Sequence, residues 1–208
     1  FTEPQSTLQA QAAPLHHFSV QFTPFVGRQT ELAQSIDYLM NPACRLLTLC
    51  GPGGMGKTRL SIQVGKEIAP RLVSYSGIYF VSLAEVDSPE LVIPALANCL
   101  GVPLKGAISA KAQVISYLQN KKILLVMDNF EHLVNGADLL VEILSAAPDV
   151  KILATSREPL NIRAEWRLIL DGLAYPEAEE IDKYAKRLHS SKQSDRQKPL
   201  DLISSYSA

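Results

Sequence analysis

Short continuous runs of apolar residues alternate along this chain with segments in which apolar residues recur every three or four positions. Continuous runs are typical of strands buried on both faces, and the wider spacing is typical of helices with one buried face. The pattern predicts strands at 45–50, 77–83, 123–128, 150–155 and, more weakly, 166–170. It predicts helices at 31–40, 56–70, 88–100, 109–119 and 136–147.

This alternation predicts an α/β domain in which helices cover both faces of a parallel sheet. Residues 1–21 are rich in Gln, Ala, Ser and Pro and lack an apolar period, so they are predicted to be a linker or disordered arm. The main domain is predicted at 22–176. Residues 177–208 are predicted to be a helical extension with a frayed tail, because their apolar residues between 181 and 188 have helical spacing.

Composition and charge exclude several classes of protein. The 208 residues are 47% hydrophobic and 20% charged, which is enough apolar material for a packed core. A formal net charge of -1 and the lack of a basic helix argue against direct nucleic-acid binding by this domain. The three cysteines lack zinc-site spacing, and no apolar stretch reaches membrane-span length. We therefore expect a cytoplasmic protein with reduced cysteines and no membrane partner.

The segment GPGGMGKT at 51–58 lies between a predicted strand and a predicted helix and matches the phosphate-binding (Walker A) pattern G-x-x-x-x-G-K-[ST]. Glycines let backbone N–H groups turn inward around phosphates, and the helix N-terminus adds partial positive charge. Lys57 is expected at the phosphates and Thr58 at Mg²⁺. The alternative is a Gly-rich turn with a solvent-facing lysine. The candidate nucleotide-binding residues are Gly51, Gly53, Gly54, Met55, Gly56, Lys57, Thr58 and Arg59.

Asp128 ends the apolar run at 123–128, where a carboxylate would emerge at the carboxyl edge of the sheet. We interpret it as the Walker B aspartate that holds Mg²⁺, although a strand-terminal aspartate can also serve as a cap or turn residue. Hydrolysis also needs a group that orients or deprotonates water. The next residue is Asn129, and Glu131 and His132 are the nearest alternatives, so slow turnover is expected and Glu131 is the candidate base.

Arg157 follows the predicted strand at 150–155 and would place a cation near a γ-phosphate. It is therefore a candidate nucleotide sensor. The alternative is an ion pair with Glu158 or another surface acid.

These motifs occur in one order along the chain: FVGR at 25–28, GPGGMGKT at 51–58, LLVMDNFEHL at 124–133, ATSREPL at 154–160 and the segment 170–176. Together they resemble the nucleotide-binding domain of STAND-class signalling ATPases, which is related to NB-ARC domains. The likeness is greatest to the bacterial branch found in large transcriptional regulators of the LuxR and AfsR types. It covers residues 22–176.

The resemblance implies a three-layer αβα P-loop NTPase fold with a parallel five-stranded sheet of order 5-1-4-3-2. It implies ATP/ADP and Mg²⁺ as ligands and use of the nucleotide as a switch. Val26 and Arg28 would lie near the adenine and ribose, Lys57 and Thr58 at phosphate and metal, and Arg157 at the γ-phosphate. The metal would be held by Thr58 and Asp128.

Two features depart from the family pattern. Asn129 stands where NB-ARC relatives often carry a second acid, which leaves the identity of the water-activating residue open. The Gly-Leu-Pro signature of the family's helical lid is missing beyond Pro176. We therefore expect a truncated lid at 177–208, and we expect the sensor and effector domains, with which the module would act, to lie outside this chain. Nucleotide-dependent self-association is a further expectation.

Three functions fit these observations. The first is a regulatory switch with slow Mg²⁺-dependent ATP hydrolysis, and the second is a nucleotide-gated binding module that does not hydrolyse, for which Asn129 is the reason. The third is a GTPase or small-molecule kinase. The nearest match to a guanine-recognition Asn-Lys-x-Asp pattern, at 120–123, has Ile123 in place of the carboxylate, so ATP is favoured over GTP.

Overall fold

The computed structural model describes residues 13–172, so the predicted extension at 177–208 lies outside the described residues. The strands are β1 Leu15–His16, β2 Leu46–Cys50, β3 Gly77–Ser82, β4 Ile123–Asp128, β5 Lys151–Ser156 and β6 Glu165–Ile169. The helices are α1 Gln29–Met40, α2 Lys57–Ile68, α3 Val92–Leu100, α4 Ala110–Leu118 and α5 Asp138–Ala146. Within residues 13–172, no helix has the length and apolar character needed to cross a membrane.

All six strands form one parallel sheet of order β1-β3-β4-β5-β2-β6. The predicted α/β fold is confirmed, and the five predicted strands lie in the order 5-1-4-3-2. The sixth strand, β1, is a difference from the prediction, because part of the segment assigned to a linker pairs with β3 at the sheet edge. Its two residues are too few to produce an apolar run in the sequence.

Helices cover both faces of this sheet and give three layers. Successive residues of β2 point to opposite faces, so Leu46 packs with the cluster under α3, α4 and α5, and Leu47 packs with the cluster under α1 and α2. All five residues of β2 are buried, as are all six of β4. This two-sided burial explains why the strands read as continuous apolar runs.

Two helices begin later than the sequence predicts. The predicted helix at 88–100 starts as a single 3₁₀ turn at Pro89–Leu91, and α3 proper begins at Val92. The predicted helix at 136–147 is likewise preceded by a 3₁₀ turn at Val134–Gly136. Such turns are frequent at helix N-termini, and apolar spacing alone does not separate them from the α-helix.

The amino edge of the sheet is held by two basic side chains that bind helix-end carbonyls. The Lys151 ammonium donates to the carbonyl oxygens of Leu39, Asn41 and Cys44 at 2.7, 2.6 and 2.7 Å, where α1 ends. The Arg45 guanidinium donates to carbonyls at the end of α5 and beyond it. These contacts satisfy acceptors that helix termini leave unpaired.

We predict that Lys151→Met lowers the free energy of unfolding by about 1.5–3 kcal/mol, because three carbonyls lose a charged donor while the apolar stem is kept. Lys111→Met is the matched control, since among the described residues Lys111 makes only an exposed ion pair with Glu142. This substitution should lower the free energy of unfolding by less than about 1 kcal/mol. Urea unfolding followed by circular dichroism measures both. Equal losses in the two variants would show that the carbonyl contacts contribute nothing specific.

Candidate functional site

The candidate site is a cleft of about 880 Å³ at the carboxyl edge of the sheet. Parallel pairing brings the ends of three strands to this edge: Cys50 of β2 is level with Ser156 of β5, and Met127 of β4 is level with Ala154. The predicted residues that line the cleft are Gly53, Gly54, Gly56, Lys57, Thr58, Arg59, Asp128, Glu131 and Arg157.

The loop between β2 and α2 is shaped by glycines. Gly54 and Gly56 have φ angles of 81° and 80°, in the left-handed region that favours glycine. A Cβ at either position would have nothing within 4 Å, so there is open space next to both glycines, which line the cleft. At Gly51 a Cβ would lie 2.6 Å from the Leu170 carbonyl oxygen, so this position needs glycine for close packing.

Lys57, the first residue of α2, points back over this loop. Its Nζ donates to the carbonyl oxygens of Gly51 at 2.6 Å and of Pro52 at 2.9 Å. The side chain is only 8% exposed. The alternative of a solvent-facing lysine is therefore wrong, because the ammonium is buried inside the loop that it is expected to serve.

Hydroxyl groups surround the Asp128 carboxylate. Thr58 donates from Oγ1 to Oδ2 at 3.0 Å, and Thr155 donates from Oγ1 to Oδ1 at 2.7 Å. Thr155 Oγ1 also accepts the backbone N–H of Asn129 at 2.9 Å. The two predicted metal-binding residues, Thr58 and Asp128, are thus in direct contact.

Burial raises the pKa of the Asp128 carboxyl above its ordinary value, since desolvation outweighs the hydrogen bonds from Thr155 and Thr58. The nearby Glu131 raises this pKa further, and Lys57 opposes the change. The ionised form of Asp128 is therefore less favourable in the folded protein than in the unfolded chain.

Arg157 and Glu131 form an ion pair across the cleft mouth. Arg157 Nε donates to Glu131 Oε1 at 2.9 Å, so the arginine pairs with this acid and not with its neighbour Glu158. Asn129, between Asp128 and Glu131, has a φ of 68°, in the left-handed region. Its side-chain amide lies 3.5 Å from His132 Nδ1. The His132 ring also contacts the Val86 carbonyl through Nε2 at 2.7 Å, away from the carboxylates.

Val26 and Arg28 do not line the cleft. Arg28 is buried, with 6% exposed, and donates to the Met55 carbonyl of the phosphate loop at 3.3 Å. It also pairs with Glu31 and donates to the Asp171 carbonyl. Arg28 therefore contacts the glycine loop through the Met55 carbonyl, without lining the cleft.

Arg59 contacts the backbone just after the predicted arm at 1–21. Its guanidinium donates to the carbonyl oxygens of Thr23, at 2.8 Å, and of Pro24. These bonds tie residues 23–24 to α2. Arg59 lines the cleft, but its guanidinium is engaged by these two backbone carbonyls.

Part of the cleft is lined by residues that were not predicted from the sequence. His17, Ser19 and Gln21 of the arm line it, together with Asn98 and Cys99 of α3. These residues belong to no recognisable sequence motif, and only the tertiary fold brings them together. Burial raises the pKa of the Cys99 thiol to about 11, so it is neutral at physiological pH. All three cysteines are free and buried.

Residues 41–162 match the family described as AAA domain. A protein of Mycobacterium tuberculosis named as an HTH-type transcriptional regulator is 41% identical over 127 residues, which are 60% of this chain and 14% of that protein. An uncharacterized protein of the same species is 34% identical over 156 residues, covering 74% of this chain and 39% of that protein. The chain thus spans less than half the length of these curated relatives.

Solved structures share the fold at low sequence identity. The Aeropyrum pernix ORC1 protein, solved in complex with DNA, is 21% identical, with a TM-score of 0.56 over 80% of this chain and 50% of that one. A STAND protein with a tetratricopeptide repeat sensor from Pyrococcus horikoshii is 16% identical, with a TM-score of 0.50 over 89% of this chain and 28% of that one.

We predict that Asp128→Asn raises the free energy of unfolding at pH 7 by about 0.5–1 kcal/mol, because it removes a charge that the fold disfavours while keeping an acceptor for the hydroxyls. For a carboxyl whose folded pKa is raised, the destabilisation is fully present above the folded pKa and is lost as pH falls from the folded pKa to below the unfolded one. The gain should therefore shrink on acidification.

Asp87→Asn is the control, since Asp87 is exposed. It should change stability by less than about 0.5 kcal/mol. Thermal and urea unfolding at pH 7 and pH 4 measure both variants. A large loss of stability in Asp128→Asn at pH 7 would mean that the hydroxyl network outweighs the desolvation of the carboxylate.

Proposed function

Because this chain belongs to the AAA domain family, we propose that it binds ATP or ADP with Mg²⁺ in the cleft and acts as a nucleotide-dependent switch with slow hydrolysis. The observation that carries the proposal is the buried Lys57 ammonium inside a glycine loop, beside a hydrogen-bonded Thr58 and Asp128. An ammonium, inward backbone amides and a helix N-terminus are the groups that hold phosphates in proteins.

The residues present fit a nucleotide at this position. The open space next to Gly54 and Gly56 in the cleft leaves room for phosphate oxygens, and the Lys57 ammonium lies against the Gly51 carbonyl of the same loop. On binding, the ammonium would exchange the Gly51 and Pro52 carbonyls for phosphate oxygens. Without nucleotide, the hydrogen bonds to these two carbonyls compensate for the desolvation of the buried Lys57 ammonium.

Thr58 and Asp128 would hold Mg²⁺, which takes oxygen ligands. In the structure the Thr58 hydroxyl donates directly to the Asp128 carboxylate, so the two side chains are close enough to share one cation. Thr155 keeps the other carboxylate oxygen fixed. The metal would supply charge neutralisation at the phosphates when bound.

Two observations support slow turnover. Asn129 cannot accept a proton from water, and Glu131, the candidate base, is paired with Arg157. The same observations support the alternative of a nucleotide-gated module that does not hydrolyse. ATP is proposed over GTP because Ile123 replaces the carboxylate of the guanine-recognition pattern. Nothing in the described residues adds support for a kinase role.

The wider setting is proposed from the relatives. Residues 22–176 would be the nucleotide-binding domain of a larger transcriptional regulator of the STAND, NB-ARC-like type, since a relative named as an HTH-type regulator is 41% identical over 127 residues. Sensor and effector domains would be the intramolecular partners. Nucleotide-dependent self-association would be the means by which the bound state is signalled.

We predict that Lys57→Ala weakens ATP and ADP binding by about 10- to 100-fold, because one charged hydrogen-bond donor to the phosphates is lost. Isothermal calorimetry with and without Mg²⁺ measures this loss. Lys66→Ala, which removes a lysine from the last turn of the same helix, is the control and should bind like the wild type. Competition with GTP tests the base preference.

Phosphate release by the same three proteins separates the two candidate functions. Slow release that disappears in Lys57→Ala supports the switch with hydrolysis, whereas tight binding without release supports the non-hydrolysing module. If the wild type binds neither ATP, ADP nor GTP, or if Lys57→Ala binds as the wild type does, the proposal is wrong.

A further inference from the structure

The Arg157–Glu131 pair is unequal in burial. The Glu131 side chain is 15% exposed, whereas that of Arg157 is 65% exposed. Glu131 is held in the short segment after β4, and the Arg157 guanidinium reaches it from the end of β5. The carboxylate is therefore the buried partner, and most of the guanidinium side chain is accessible to solvent or ligand.

The Glu131 carboxylate has few other compensating contacts. Its second oxygen, Oε2, is buried and has no hydrogen-bond partner among the described residues. An ionised carboxylate in this position loses hydration without full replacement. Arg157 therefore supplies the main compensating charge, and Glu131 retains the guanidinium by the same attraction.

The guanidinium also lies next to the phosphate loop. A Cβ at Gly53 would be 4.0 Å from Arg157 Cζ, and both side chains of the pair line the cleft with Lys57. Any anion that extends from the loop toward Arg157 meets a cation already paired with a carboxylate. The attraction between such an anion and the guanidinium is weaker than it would be for an unpaired arginine, and the Glu131 carboxylate repels the anion.

We propose that Glu131 sets the preference between ATP and ADP by competing with the terminal phosphate for Arg157. The inference rests on the proposed function, because it concerns the same nucleotide site. ATP carries the additional phosphate that Arg157 would bind, and ADP does not. Glu131 thereby lowers the affinity for ATP relative to ADP, which makes it a specificity-determining residue and distinguishes this role from that of a catalytic base.

The test is a thermodynamic cycle on the full 208-residue chain. The dissociation constants of ADP and of β,γ-imido-ATP, which resists hydrolysis, are measured by calorimetry with Mg²⁺ for the wild type, Glu131→Gln, Arg157→Gln and the double variant. Glu131→Gln should raise the preference for the triphosphate about two- to fivefold, as expected for release of a partly exposed ion pair. The same substitution should have no effect on this preference in the Arg157→Gln background.

Glu158→Gln is the matched control, since it removes the same charge from an exposed acid next to Arg157 in the chain and should leave the preference unchanged. Glu131→Ala is a second variant, and thermal unfolding establishes that each protein is folded. A base role alone for Glu131 would lower phosphate release without changing the binding preference. That result, or a shift that persists without Arg157, would overturn the inference.

Failure of this inference is distinct from failure of the proposed function. If the wild type binds ADP through Lys57 but the preference does not change in Glu131→Gln, only the competition is excluded. If no nucleotide binds to any of the proteins, the nucleotide site itself is wrong.

Discussion

The site depends on burying an ammonium and a carboxylate at one edge of a parallel sheet without leaving either ion unsolvated. Lys57 is solvated by two loop carbonyls and Asp128 by two threonine hydroxyls. The hydrogen bonds of Lys57 and Asp128 go to these neutral groups and not from one ion to the other. Each is therefore held by neutral groups that a more strongly charged partner can replace.

That arrangement makes the site costly to fold. The pKa of Asp128 is raised because its hydroxyl partners do not fully replace water. The rest of the domain compensates through apolar packing on both faces of the sheet, where β2 and β4 are buried throughout. The stabilising apolar contacts thus lie in the core, and the unfavourably buried charges lie at the edge of the sheet.

Much of the fold could be predicted because each element has a local cause. Continuous apolar runs identify the buried strands, Ser109 caps α4 through the Ala112 N–H, and Gly101 ends α3 with a positive φ. The strand β1 could not be predicted, since its pairing with β3 depends on tertiary contact and not on its own two residues.

In the site, the positions of Lys57 and Asp128 could be predicted because their motifs fix them at strand and helix ends. Their partners could not, because Thr155 reaches Asp128 only through the pairing of β4 and β5 in the sheet. The pairing of Arg157 with Glu131 is also a product of the sheet order, which brings two segments 26 residues apart to one edge. The roles assigned to these residues in nucleotide binding remain proposals.

Arg28 links three separate parts of the molecule through one guanidinium. It touches the Met55 carbonyl of the phosphate loop, the Glu31 carboxylate of α1 and the Asp171 carbonyl where the chain leaves β6. A displacement of the loop at Met55 must either break this contact or pull on the backbone after β6. One buried side chain therefore joins the backbone of the glycine loop to that of the segment after β6, so a substitution of Arg28 would disturb both places at once.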